Sequence, residues 1–295
     1  MSDSCVFTLH QYGEHELQRL ATWEPREPPS DPDARWIIFI HGGAWRDPSN
    51  TYQDFAPTID ALLSSPSSGS SPPPAVRGFA SLDYRLAPHP NHPQDPATTP
   101  PHKLRRAAHP DPIRDVRAAL ALLDAKYGIG DRYVLAGHSV GATLAFQALA
   151  PPDTPAATTR DGEEEKEEDV PPLPAAILGV AGIYEFHDFA LRNGPAYVEM
   201  VEGALGTDRS KWNDAAPLHF RGGYAADWPC GRHVLLSYSP GDSLVDGAVE
   251  TNAMVDRLRK DGCAVSTTLI QGEHDFAWQD GKQIASLVAE LCQKL

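Results

Sequence analysis

Apolar positions along this chain fall into two kinds of run that alternate. Short unbroken stretches rich in β-branched and aromatic residues read as buried strands: RWIIFIHGG (35–43), VRGFASLDYRLAP (76–88), RYVLAGHS (132–139), AAILGVAGIY (175–184), RHVLLSYSPGD (232–242) and AVSTTLIQGEHD (264–275). Between them lie segments with apolar residues three and four apart. In DPIRDVRAALALLDAKYGIG, Ile113, Val116, Leu120, Leu123 and Tyr127 share one helical face. Asp111 can cap that helix, Pro112 suits its first turn and Gly128 can close it. VGATLAFQALA (140–150), GAVETNAMVDRLRKDG (247–262) and GKQIASLVAELCQKL (281–295) read as further helices, and KWNDAAPL (211–218) as a cap or helix start. Strands alternating with helices predict an α/β fold, a mostly parallel sheet with helices on both faces, in a single domain over 1–295. Low-complexity insertions are expected near 64–74 and 151–174, and the irregular stretch 185–228 is expected to form a partial lid.

Charge narrows the choice of partner. The formal net charge is −15, which repels nucleic acid and anionic membrane, so neither is expected. Part of that charge is local: DGEEEKEED (161–169) carries seven acids and one lysine and reads as a solvated insertion. No apolar run approaches the roughly 20 residues of a membrane span. The start lacks the basic and apolar regions of a secretory signal. Gln293-Lys294-Leu295 differs from the peroxisomal S-K-L address at its first position, so a cytoplasmic location is expected. Cys5, Cys230, Cys263 and Cys292 lie far apart, a spacing that suits idle reduced thiols better than a disulfide framework or zinc site.

One short motif carries chemistry. AGHSVGAT (136–143) holds Ser139 between Gly137 and Gly141, where a strand turns into a helix. That is the context of a nucleophile elbow. A serine hydroxyl needs a histidine to take its proton, and the histidine needs an acid to fix its tautomer. In α/β-hydrolases these follow in the order Ser, acid, His. Asp242, in the loop after HVLLSYSP (233–240), and His274, in QGEHDF, supply that order. Asp246 is a rival acid and also suits a helix cap. His138 adjoins the serine too closely to turn its ring onto it. The motif HGGAW, His41, Gly42, Gly43, Ala44 and Trp45, follows the first of these strands. Gly42 and Gly43, with the amide of Val140, are candidates for an oxyanion hole. No metal or nucleotide motif is complete: HEL (15–17) has Arg19 where a second histidine is required, and no phosphate loop exists. No cofactor is expected.

Taken together, HGGAW, LDYRLAPHPNHPQDP, HPDPIRDVRAAL, AGHSVGATLAFQ, GDSLVD and GEHDFAW resemble kynurenine formamidase (arylformamidase), an α/β-hydrolase family. The likeness runs from about residue 36 to the end, outside the two insertions. The resemblance implies a small-molecule substrate, N-formyl-L-kynurenine, cleaved to L-kynurenine and formate in tryptophan catabolism without a cofactor, by a monomer or homodimer. HGG-x-W and DYRLAP are shared with hormone-sensitive-lipase-like esterases, so a short-chain carboxylesterase is the alternative, and a non-catalytic hydrolase-fold binding protein a third. For the leaving group, Trp45 either stacks on its ring or fills the core beneath the loop. Tyr184 either lines the pocket or packs its wall. Arg46 or Arg85 could pair with the substrate carboxylate, although Arg85 also suits a structural pairing with Asp83.

Overall fold

The computed structural model describes residues 4–64, 75–150, 170–229, 231 and 233–295. Most of the two low-complexity insertions, including the acidic run, and Cys230 lie outside these residues. Cys5, Cys263 and Cys292 are free thiols.

Eight strands form one sheet. They are β1 (Cys5–Gln11), β2 (Arg19–Pro25), β3 (Arg35–Ile40), β4 (Val76–Leu82), β5 (Tyr133–His138), β6 (Ala176–Val180), β7 (His233–Tyr238) and β8 (Val265–Leu269). Their order across the sheet is β1-β2-β4-β3-β5-β6-β7-β8. β1 and β2 join antiparallel; from β4 onward every neighbouring pair is parallel.

The helices are α1 (Ala56–Ser64), α2 (Asp111–Tyr127), α3 (Val140–Gln147), α4 (His187–Asn193), α5 (Pro195–Leu205), α6 (Trp212–Ala215), α7 (Tyr224–Asp227), α8 (Gly247–Lys260), α9 (Phe276–Asp280) and α10 (Lys282–Cys292). Because successive strand residues point to opposite faces, each strand feeds two cores. Ile38, Ile40, Leu135, Ile177 and Leu236 pack with Val116 and Leu120 of α2, Leu144 of α3 and Leu258 of α8. Ile37, Phe39, Val134, Leu178 and Leu235 pack with Ile59 of α1 and with Ile284, Leu287 and Leu291 of α10. Among the described residues no helix is long and apolar enough to cross a membrane.

The expected α/β-hydrolase architecture is present, with two local differences. The first is the β1–β2 hairpin, which the apolar pattern did not predict. In CVFTLHQ the apolar residues Val6, Phe7 and Leu9 face solvent, so β1 has no inward-facing alternation to read. The second is the start of α2. Asp111 is its first residue rather than its cap, because the carbonyl of Pro110 already accepts the first helical bond, from the Arg114 amide at 3.1 Å. Gly128 closes the helix as expected, in the left-handed conformation at φ 58°.

Strand order locates the working edge. The chain passes from β3 outward to β4, then returns through α2 to β5 on the other side of β3. Winding thus reverses about β3, and ligands of open α/β sheets bind at the carboxyl ends of strands at such a point. The loops that leave there are HGGAW after β3 and Ser139 after β5.

The β3 side of this frame is held by Phe39, fully buried and stacked on Phe55 at 4.9 Å and 5°. Phe39→Ala is expected to lower the unfolding free energy by about 3–5 kcal/mol. The check is a urea melt, with the midpoint falling at unchanged slope.

Candidate active site

β5 ends at His138, and the next residue takes a backbone conformation that L-residues avoid. Ser139 has φ 54° and ψ −124° and leads directly into α3. Its amide still bonds the Val180 carbonyl at 2.9 Å, continuing the ladder to β6, while its carbonyl accepts from Ala142 at 3.0 Å, opening the helix. A turn this tight leaves no room beside it. A Cβ on Gly137 would collide with the backbone of Gly141, and one on Gly141 with the carbonyl of Ile40. That is the physical reason for both glycines of the motif.

His274 and Asp242 meet as expected. His274 Nδ1 lies 2.7 Å from Asp242 Oδ2, with the acid buried and the imidazole nearly so. Asp242 Oδ1 accepts from the amides of Leu244 (2.8 Å) and Val245 (3.0 Å). Burial works to raise the Asp242 carboxyl, but the hydrogen bond from His274 and the two amides outweigh it and hold the group below the usual carboxylate range. An ionised Asp242 fixes the proton on Nδ1 and leaves Nε2 of His274 as the basic atom. The two loops are also tied to each other. Ser239 Oγ donates to the Gly272 carbonyl at 2.6 Å, and the amide and hydroxyl of Ser243 reach Glu273 Oε2 at 3.1 and 2.7 Å. Asp246 is elsewhere: it caps α8, accepting from Val249 at 3.3 Å, with its side chain more than half exposed.

His138 does not face the serine hydroxyl as a base. Its Nε2 lies 2.9 Å from the His274 carbonyl, and its ring packs 4.6 Å from that of His274. Burial, then the neighbouring His274, push its pKa down to about 3, so it is neutral and donates to that carbonyl. His138, His274 and Asp275 bring three potential metal ligands within 4.8 Å of one another. One nitrogen of each histidine is already in a hydrogen bond, and a metal there would take the His274 nitrogen that the serine needs.

Ser139 and His274 line a cleft of about 350 Å³. Gly43, Ala44, Arg46, Asp47 and Asn50 of the loop after β3 line it too, with Ile183, Phe189, Tyr197 and Met200. Gly42 lies against the serine: a Cβ there would stand 3.1 Å from Ser139 Cβ. Val140 begins α3, where an amide has no intrahelical acceptor.

The structure decides between the two readings of Trp45 and of Tyr184, and corrects the pairing expected of Arg85. Trp45 is not on the cleft. Its left-handed backbone, φ 59°, turns the indole beneath the loop, where it is buried edge-on to Phe186 at 5.7 Å. Tyr184 is likewise core, fully buried and edge-on to Phe146 at 5.5 Å, as its position in a strand-end turn bonded to Glu250 requires. Arg85 does not pair with Asp83. It forks onto Asp115 at 2.8–3.0 Å, while Asp83 takes Arg19 at 2.5 Å. Arg46 does line the cleft, with the exposed Glu199 beside it at 3.6 Å. Phe189, Tyr197 and Met200 escaped the sequence reading, since they sit on α4 and α5 in no recognisable motif. The expectation of a lid over 185–228 was the one signal pointing to them.

A comparison with models of known protein families finds no match. Individual relatives are informative. The chain is 35% identical over 297 positions to a kynurenine formamidase-like hydrolase of Fusarium equiseti, covering 97% of this chain and 92% of that one. The chain belongs to the kynurenine formamidase family. It is also 30% identical to a kynurenine formamidase of Aspergillus versicolor over 83% of this chain and 84% of that one. Among solved structures, a hormone-sensitive lipase from a metagenome library superposes with TM-score 0.63 at 18% identity, over 100% of this chain and 87% of that one. A truncated carbohydrate esterase from gut microbiota gives 0.64 at 16%, over 100% and 99%. These place the fold among the α/β-hydrolases, and the family makes this chain a hydrolase.

The buried histidines of this formamidase-family chain give a pH signature. Burial lowers His138 to about 3 and His109 to about 4. Unfolding returns each to about 6.5, so below that pH the unfolded chain binds protons the folded one does not. Stability is therefore expected to be full above pH 6.5 and to fall as pH drops toward 4, on the order of 1–2 kcal/mol per histidine by pH 5. Denaturant melts between pH 7 and 5 check this, and His138→Gln is expected to flatten the slope.

Proposed function

We propose that this protein hydrolyses N-formyl-L-kynurenine to L-kynurenine and formate through a covalent formyl-enzyme on Ser139. The observation that carries the reading is the 2.7 Å His274–Asp242 pair beside a serine on a left-handed strand-to-helix turn, in one cleft. Family membership supplies the substrate class.

In this reading His274 Nε2 takes the Ser139 proton as the hydroxyl attacks the formyl carbon. The resulting oxyanion is held by the amide of Val140 and by those of Gly42 and Gly43. His274 then gives its proton to the departing aniline nitrogen. Water, activated by the same nitrogen, attacks the formyl ester and releases formate. A formyl group carries no side chain, so the serine end of the cleft can be tight. The leaving aromatic ring lies against Phe189, Tyr197 and Met200, and Arg46 meets the substrate carboxylate. The protein acts on a small molecule without a cofactor, as a monomer or homodimer in the cytoplasm, within a single domain whose segment 185–228 serves as a partial lid.

A carboxylesterase of the hormone-sensitive-lipase type is the second reading, favoured by the esterase and lipase folds that superpose on the chain. Triad chemistry is common to both, so the leaving group decides. Kynurenine release, followed by near-ultraviolet absorbance, is expected to be rapid and to be lost by at least 10³-fold in Ser139→Ala. The esterase reading prevails if short-chain aryl esters are cleaved far better than the formamide. Arg46→Ala is expected to raise KM for N-formyl-L-kynurenine about tenfold or more while leaving N-formylaniline nearly unchanged, since only the former carries a carboxylate.

A further inference from the structure

We infer that Tyr84 is a positioning residue for the oxyanion site: its buried hydroxyl pins the carbonyls of His41 and Gly42 so that the amides of Gly42 and Gly43 point into the cleft. The inference rests on the serine-hydrolase reading above but not on the identity of the leaving group.

The geometry runs through the peptide plane. In a trans peptide the C=O of one residue and the N–H of the next point in opposite directions. Whatever holds a carbonyl therefore aims the following amide. Tyr84 is fully buried, and its hydroxyl stands 2.8 Å from the Gly42 carbonyl and 3.1 Å from that of His41. His41 Nδ1 lies 3.0 Å from the same Gly42 oxygen. The Gly43 carbonyl is held as well, by the amides of Arg46 (2.9 Å) and Asp47 (2.8 Å). Three successive carbonyls are thus held. Among the described residues the amides of Gly42, Gly43 and Ala44 have no acceptor. Gly43 and Ala44 line the cleft, and Gly42 abuts the serine.

Glycine makes the pin necessary. A Gly-Gly peptide can flip at little steric cost, and a flip would present carbonyl oxygen to a developing oxyanion. The ring of Tyr84 is itself fixed, stacked on His41 at 4.5 Å and 13°. Burial, with Asp54 and Asp83 nearby, keeps its hydroxyl protonated and so always a donor. Tyr84 touches neither the serine nor the cleft, so it acts through the loop.

Tyr84→Phe removes the hydroxyl and keeps the stacked ring. Phenyl acetate and N-formyl-L-kynurenine are both used, with rates counted per serine labelled by a fluorophosphonate. The expected result is a kcat lower by about 10–100-fold on both substrates, with KM within threefold, and a matching loss of affinity for a boronic acid, whose adduct on Ser139 is tetrahedral. Benzoate, a planar ligand lacking such an adduct, should bind as before. Unchanged kcat and boronate affinity overturn the inference, as does a loss confined to thermal stability or KM. If Tyr84→Phe fails to fold, 4-aminophenylalanine at 84 places a weaker donor on the same carbonyls. Lowered kcat per labelled serine then supports the inference and unchanged kcat overturns it. Failure of the formamidase reading shows differently: the native protein cleaves the ester but not the formamide, and the Tyr84 effect is still read on the ester. Activity surviving in Ser139→Ala removes the serine reading and the Tyr84 inference with it.

Discussion

One residue held in a conformation it disfavours organises this molecule. An L-residue at φ 54° costs of the order of 1–3 kcal/mol, and it persists only where the surroundings leave no alternative. Here the Ser139 amide completes a ladder bond to β6 while its carbonyl opens α3. Relaxing the turn would break one or the other. The same constraint requires glycine at 137 and 141, brings α3 hard against the end of β3, and projects the hydroxyl clear of both elements. The sheet order then carries the other groups to it, because β5, β7 and β8 run parallel and release their loops at one edge.

Much of this was readable from residue types. β3, β4, β5, β6 and β7 are apolar runs because both of their faces are covered, and such runs stand out from their glycine- and proline-rich flanks. The order of Ser139, Asp242 and His274 was legible because each sits in a short polar loop after such a run, and the structure brings the acid and the histidine together as that order implies. Where the sequence left alternatives open or misled, side-chain direction was the missing quantity. Trp45 and Tyr184 are aromatic residues next to the right loops, yet backbone dihedrals turn both rings inward. Arg85 stands two residues from Asp83 in sequence, but its guanidinium finds the buried Asp115 on α2 instead. The apolar wall of Phe189, Tyr197 and Met200 depends on how two short helices lie over the cleft, which no local pattern records.

Buried Asp54 and Asp83 stand close to the HGGAW loop, Asp83 lying 3.8 Å from His41 Nε2. Asp83 accepts from Arg19 and from the Tyr52 amide at 2.5 Å each, and Asp54 accepts from Asn50 at 2.7 Å. Low dielectric makes such contacts strong when complete and costly when broken. The network ties β2, β4 and the turn at Tyr52–Phe55 to the loop that flanks the serine. The β1–β2 hairpin, at the far side of the sheet, thus has a path to the cleft through Arg19.

The crossovers have a directional consequence. Each β-to-α loop leaves at the edge that carries Ser139, and each α-to-β return arrives at the opposite edge. Ser64 and Ala75, and likewise Ala150 and Val170, bracket two such returns, from α1 to β4 and from α3 to β6. The low-complexity and acidic stretches are spliced into the chain at those two points. The described ends of α1 and α3, Ser64 and Ala150, and Ala75 just before β4 thus stand on the side away from Ser139. The fold therefore sets the tails of α1 and α3 at one margin and, at the other, a turn where a single added methyl group is too large.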